Sequence, residues 1–239
     1  QGGGGAGFRE TYTPGPTKDA GVIETTNGTL CQVIQFSGLE PVLDSVVVGT
    51  LTVNASSADN AINFTKGPGG GIFIGNTGLV SVDNFETLEF NNKTNLVLNG
   101  LAGSDTFNLN YNNTSNPAGL TGTITFKGGD PSASDTLIVN GIAGVLDNLR
   151  YLPTSVGAGT VINDSEPQPN VLFTGVEHLK LVVQQADGDG VRVDGTTGND
   201  AVEFFHGVTS DQGQFVGTMD QNNATGVGPF TMTEMSFTG

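Results

Sequence analysis

The chain has 239 residues and a net charge of −16, from 8 basic against 24 acidic side chains. A field of that sign repels phosphate backbones and anionic lipid surfaces, which argues against nucleic acid as a partner, and no apolar run approaches the length of a membrane-spanning helix. A single cysteine excludes an internal disulfide framework, and 37 glycines point to short strands and tight turns rather than helices.

Residues 1–20, QGGGGAGFRETYTPGPTKDA, offer few side chains to pack and two prolines, and read as a flexible arm. Opening on Gln1, the chain reads as a processed, mature segment. From Gly21 onward, short β-rich runs follow one another: VIQF, SVVVGTLTV, AINF, IFI, LEF, LVLNG, TFNLNY, TITF, TLIVNG, VLF, LKLVV, VRVDG, AVEFF and FTMTEMSF. Alternation in LCQVIQF predicts an inward, packed Cys31. The best helical candidate, AGVLDNLRYLP, is closed by Pro153 after little more than a turn.

The runs repeat. VIQFSGLEP (33–41), VSVDNFETL (80–88) and VLFTGVEHL (171–179) share a frame that ends on Glu40, Glu86 and Glu177. A second frame, LTVNASSADNAINF, LVLNGLAGSDTFNL and VRVDGTTGNDAVEF, carries Asn60, Asp105 and Asp200 in one column, and TFKGGDPSASDTLIVNG adds a looser copy around Asp135. Spans of 20, 19 and 23 residues separate the two columns, which suits stacked coils. The expected fold is therefore all-β, a right-handed parallel β-helix or β-solenoid over 21–239 with halves near 21–145 and 146–239. Tandem β-sandwich domains fit the same strand spacing. Within each corner, Asn99-Gly100 and Gly103 allow the backbone to turn, and Asp105 is placed to accept backbone N–H groups, so that stacked corners form a ladder. MSFTG (235–239) repeats VLFTG (171–175), as if another unit began there.

DGDGVRVDGTTGND (187–200) gathers hard oxygens. Asp187, Asp189, Asp194 and Asp200, with Asp105 from the matching corner, are candidate calcium ligands, since calcium takes six to eight oxygens. The corners resemble a degenerate hemolysin-type calcium repeat, G-G-x-G-x-D-x-hydrophobic-x. Gly195, Gly198, Asp200 and Val202 fill its places, as do Gly100, Gly103, Asp105 and Phe107; Thr196 and Leu101 stand where the second glycine belongs. Over 33–239, VLFTGVEHL, VRVDGTTGNDAVEF and YLPTSVGAGTVINDSEPQPNV resemble the repeats of very long secreted and cell-surface proteins of planctomycete-type bacteria. That likeness implies a secreted, cell-surface or matrix location and a structural or adhesive role.

Eight Asn-x-Ser/Thr sequons occur, of which Asn27, Asn92, Asn112, Asn113, Asn163 and Asn223 are candidate glycan acceptors, while Asn54 and Asn63 border strands. His178 and His206 lie in no catalytic motif, and Arg150, Arg192 and Lys180 are the few cations available to a polysaccharide lyase, so no enzyme is expected. The expected function is a building unit of a bacterial surface layer, filament or matrix that polymerises with copies of itself through its termini. A glycan-binding adhesin is the alternative, and a β-helical polysaccharide-cleaving enzyme follows it.

Overall fold

The structure is a computed structural model that describes residues 4–111, 116, 118–130, 133–142, 144–183, 189–196, 200–206, 212–219 and 230–238. A meander of β1 (Gly5–Pro14), β2 (Ala20–Thr26) and β3 (Cys31–Ser37) is followed by the short β4 (Val42–Asp44). β5 (Val48–Asn54) and β6 (Ala61–Lys66) lead into the antiparallel pair β7 (Gly78–Val82) and β8 (Leu88–Phe90). Next come β9 (Lys93–Asn99), β10 (Thr106–Asn110), β11 (Ile124–Lys127) and β12 (Thr136–Asn140), then the hairpin β13 (Asn148–Ser155) and β14 (Ala158–Asn163). β15 (Val171–Thr174), β16 (His178–Val182), β17 (Gly190–Val193), β18 (Ala201–His206), β19 (Gln212–Met219), β20 (Phe230–Thr231) and β21 (Glu234–Thr238) complete it.

These strands form two large mixed sheets. The first runs β17-β13-β14-β15-β11-β9-β5-β1-β2-β3, and the second β18-β19-β21-β16-β12-β10-β6-β7-β8-β4, with β20 paired to β19. The centre of each is parallel: β1, β5, β9, β11 and β15 in the first, β6, β10, β12, β16 and β21 in the second. Parallel neighbours require crossovers, and here the crossover is a strand of the opposite sheet rather than a helix. The all-β expectation is met. The described residues form no closed solenoid, however, because antiparallel segments interrupt or extend the ladders.

Alternation decides which side chains face inward. Leu51, Leu96, Ile124 and Val171 stack in register in the first sheet; Ile62, Phe107, Leu137, Leu179 and Met235 do so in the second, and all are buried. The core lies between the sheets, where Phe107 of one meets Phe126 of the other edge-to-face at 5.4 Å. On the polar faces asparagines bond down the stack: Asn99 Nδ2 donates to Asn54 Oδ1 (3.1 Å), Asn108 Nδ2 to Asn63 Oδ1 (3.2 Å), and Asn140 Nδ2 to Asn108 Oδ1 (2.8 Å).

Four expectations need correction. Residues 5–14 are no arm: β1 pairs with β5 on one side and β2 on the other, and its inward residues Glu10 and Tyr12 are buried. Cys31 is exposed rather than packed, because β3 is the last strand of its sheet and no further strand of the described residues covers it. Glu40 and Glu86 do stack, each two residues before the parallel pair β4 and β8 with Val42 opposite Leu88, but Glu177 does not join them, since it precedes β16, which pairs with β12 and β21. MSFT likewise sits in the second sheet on β16, with Phe237 opposite Leu181, whereas VLFT sits in the first. A five-residue alternation fixes which side chains face in but does not choose the sheet; the preceding corner does that.

Candidate functional site

Three features place polar chemistry in this apolar stack. The first is the set of corners. Each begins with a small residue and ends with a carboxylate or amide: Ala55 and Asn60, Gly100 and Asp105, Gly128 and Asp135, Gly141 and Asp147, Gly195 and Asp200. Glycine is needed because the carboxylate folds back onto it: a Cβ on Gly100 would lie 2.1 Å from Asp105 Oδ2, and one on Gly128 2.2 Å from Asp135 Oδ2. In three corners the side chain caps its own turn, accepting the N–H of Ser56, Ile142 or Thr196.

The other carboxylate oxygens join one corner to the next. Asn60 N–H donates to Asp105 Oδ1 (2.8 Å), Asp105 N–H to Asp135 Oδ1 (2.7 Å), and Asp135 N–H to Glu177 Oε2 (2.7 Å). Asp147 N–H donates to Asp189 Oδ1 (2.7 Å) in the same way. This ladder, rather than a local turn bond, is the use made of the column around Asp105. Burial pushes Asp105 up to about 6; the Asn60 N–H opposes that rise, and Asp135, Asp59 and Asp83 add to it. Asp135 is raised by the same burial.

The expected calcium ligands are dispersed among different partners. Asp105 is in the ladder, Asp189 caps Asp147, and Asp200 takes the N–H and hydroxyl of Thr196. Asp194 bonds Arg150 (3.3 Å) and Arg192 (2.6 Å), while Arg150 also holds Asp164 through two 2.8 Å bonds. Asp187 and Gly198 lie outside the described residues. Asp105 Oδ2 and Asp135 Oδ2 are buried without a hydrogen-bond partner, but one oxygen from each falls far short of a calcium shell. No group of three or more His, Cys, Asp or Glu among the described residues is arranged to hold a metal.

The glycan candidates also differ. Asn27 is exposed at the β2–β3 turn, and its Oδ1 accepts the N–H of Thr29 and Leu30. Asn92 Nδ2 donates to Ser45 O and Asn163 Nδ2 to buried Asp147, so the nitrogen a glycan would modify is engaged. Asn112, Asn113 and Asn223 lie outside the described residues.

The second feature is the pair of open ends. The inward column of the first sheet runs from Val53 through Tyr12 and Ile23 to Ile34 on terminal β3, passing from 1% exposure at Val53 and Tyr12 to 46% at Ile34. At the far end of the second sheet, Phe237, Phe215 and Phe204 pack within 6.1 Å of one another, and Phe204 on terminal β18 is again 46% exposed. Leu30, Val33, Leu39 and Leu43 are exposed near the first end. The core therefore runs out into solvent at both ends.

The third feature was missed in the sequence, because its members lie far apart along the chain and one falls in the supposed arm. Lys93, Glu10 and Asp44 are each at least 95% buried. Lys93 Nζ lies 2.7 Å from Glu10 Oε2, 2.6 Å from Asp44 Oδ2 and 2.6 Å from Val46 O. Thr25 Oγ1 donates to Glu10 Oε1, and Val46 N–H to Asp44 Oδ1. Above them opens a cavity of about 430 Å³ between β2, β3 and the segment 43–46, walled by Phe8, Ile23, Leu30 and Ile34, with Glu10 and Asp44 in its lining. The only local signal is the alternation of Glu10 with Tyr12 in RETYT.

Compared with known proteins, the chain matches no family model, no curated protein and no solved structure.

Proposed function

We propose that this protein is a structural building unit of an extracellular bacterial layer, filament or matrix, polymerising end to end through the terminal strands of its two sheets. The observation that carries this reading is the unfinished core. The same inward-facing columns that are sealed in the middle of the stack reach solvent at β3 and at β18, the strands at which the sheets of the described residues end. β3, CQVIQFS, has no charge, lysine or proline to discourage strand addition. Placing the β3 end of one copy against the β17–β18 end of the next would continue both sheets, and such a head-to-tail contact propagates into a fibre rather than closing into a dimer. The parallel ladders, seen in this light, are the middle of a longer solenoid-like stack.

The adhesin reading calls for a row of exposed rings; among the described large hydrophobic residues that are exposed, Phe204 is the one aromatic. Lyase chemistry calls for free cations, and two of the three candidates, Arg150 and Arg192, are engaged by Asp164 and Asp194, which leaves Lys180 alone. Sedimentation velocity over a concentration series tests the reading. Growth of large species in the native protein, suppressed by Val33→Lys with Ile34→Lys, is expected; a monomer at every concentration would refute it.

A further inference from the structure

We propose that Lys93 and Asp44 are joined covalently by an isopeptide bond between Nζ and Cγ, formed within the folded chain with Glu10 as the proton carrier. The proposal is independent of whether copies of the chain assemble.

The geometry supplies each part of an acyl transfer. The nucleophile, Lys93 Nζ, is 2.6 Å from Asp44 Oδ2, so the amine and the carboxyl it would attack are in direct contact, both buried from solvent. Glu10 Oε2, 2.7 Å from the same nitrogen, is placed to take its proton. Asp44 Oδ1 accepts Val46 N–H, which stabilises negative charge developing on that oxygen during attack. Val46 O and Thr25 Oγ1 fix the amine and Glu10. Held this way, the reactants have an effective concentration no free amine and acid reach in water.

The two carboxyls are also biased toward different protonation states. Burial raises Asp44, Lys93 opposes the rise and the Glu10 hydrogen bond reinforces it, leaving Asp44 at about 7. Burial would raise Glu10 too, but the Asp44 hydrogen bond and the Lys93 charge hold it below its usual value. The surroundings thus bias Asp44 toward the neutral, electrophilic form and Glu10 toward the charged base.

The reaction balances without a co-reactant. Nζ gives a proton to Glu10 and attacks Cγ of the neutral Asp44 carboxyl, forming a tetrahedral centre. Glu10 returns that proton to the hydroxyl Oδ2, the Cγ–Oδ2 bond breaks, one water leaves through the adjoining cavity, and the second proton that Nζ must lose to become an amide nitrogen passes to solvent by the same route. The remaining Oδ1 becomes the amide carbonyl, still held by Val46 N–H, and Glu10 is again a carboxylate. The product ties the start of β9 in the first sheet to the end of β4 in the second and closes residues 44–93 into a ring. In a chain with one cysteine, it would be a covalent brace at the end of the stack where the core is open.

Intact mass and peptide mapping of the full chain, purified after incubation at neutral pH and denatured, test the proposal. The expected result is a mass lower by one water and a branched peptide containing both Asp44 and Lys93; loss of ammonia by cyclisation of Gln1 is distinguished by that peptide. Lys93→Arg and Asp44→Ala should each restore the sequence mass at this site, and Glu10→Gln should slow linking by roughly 100-fold or more. A native protein with Lys93 and Asp44 recovered as separate, unmodified peptides would overturn the bond. Linking at an undiminished rate in the Glu10→Gln variant would overturn the role of Glu10.

Discussion

Gly100 and Asp105 show how one residue choice sets a corner. The carboxylate lies against the glycine Cα, with the Gly128 carbonyl also within 2.7 Å of where a Cβ would stand, so one obstacle belongs to the residue's own turn and the other to the turn stacked on it. Gly100→Ala should therefore destabilise the protein by about 1–3 kcal/mol. Gly119→Ala, at φ +64 but with open space around it, should cost only about 1 kcal/mol of backbone strain. Urea denaturation compares the two; equal losses would mean that crowding at the corner is unimportant. Asp105 gives a pH test. Its folded value of about 6 lies above the roughly 3.9 of an unfolded aspartate, so its contribution to stability is fully present below about pH 4 and is lost as pH rises through 6. Asp105→Asn keeps an oxygen for the Asn60 N–H and removes the titration. Relative to the native protein, the variant should gain stability between pH 4 and 7, and a parallel pH profile would contradict the assignment.

At the scale of elements, the pairs β5–β6, β9–β10 and β11–β12 were legible because each couples an alternation to a corner of fixed grammar, and the stacking of Asn60 on Asp105 on Asp135 follows that grammar. The copy at Gly195–Asp200 belongs to strands at the far edges, where, among the described residues, β17 pairs only with β13 and β18 only with β19. Its sequence matches the frame, but neighbours, not the motif, determine what stacks on it. β1 was illegible for the opposite reason: glycines and prolines disguise a strand whose value lies in long-range pairing, and a buried glutamate contradicts the usual inward alphabet. Removing residues 1–14 should therefore abolish cooperative unfolding, since it exposes β5 and leaves Lys93 without Glu10. Circular dichroism melts check this, and an unchanged melt would restore the flexible-arm reading. In the middle of the stack, Phe126→Ala should cost about 3–5 kcal/mol, because Phe126 is fully buried against Phe107 of the opposite sheet.

Over the whole molecule, charge and topology act in opposite directions. A net charge of −16 keeps copies apart at low ionic strength, whereas the open ends invite addition. Salt should thus promote assembly by screening. With the described candidate aspartates, Asp105, Asp189, Asp194 and Asp200, committed to backbone, hydroxyl and arginine donors, calcium should act no more strongly than magnesium at equal ionic strength. A calcium-specific rise in melting temperature of several degrees would show that the acidic corners bind the ion. The most direct measurement is electron microscopy of concentrated protein in moderate salt, native beside the Val33→Lys, Ile34→Lys variant. Fibres in which both sheets continue from copy to copy, present in the native protein and missing in the variant, are the predicted result; dispersed single particles in both would contradict end-to-end assembly.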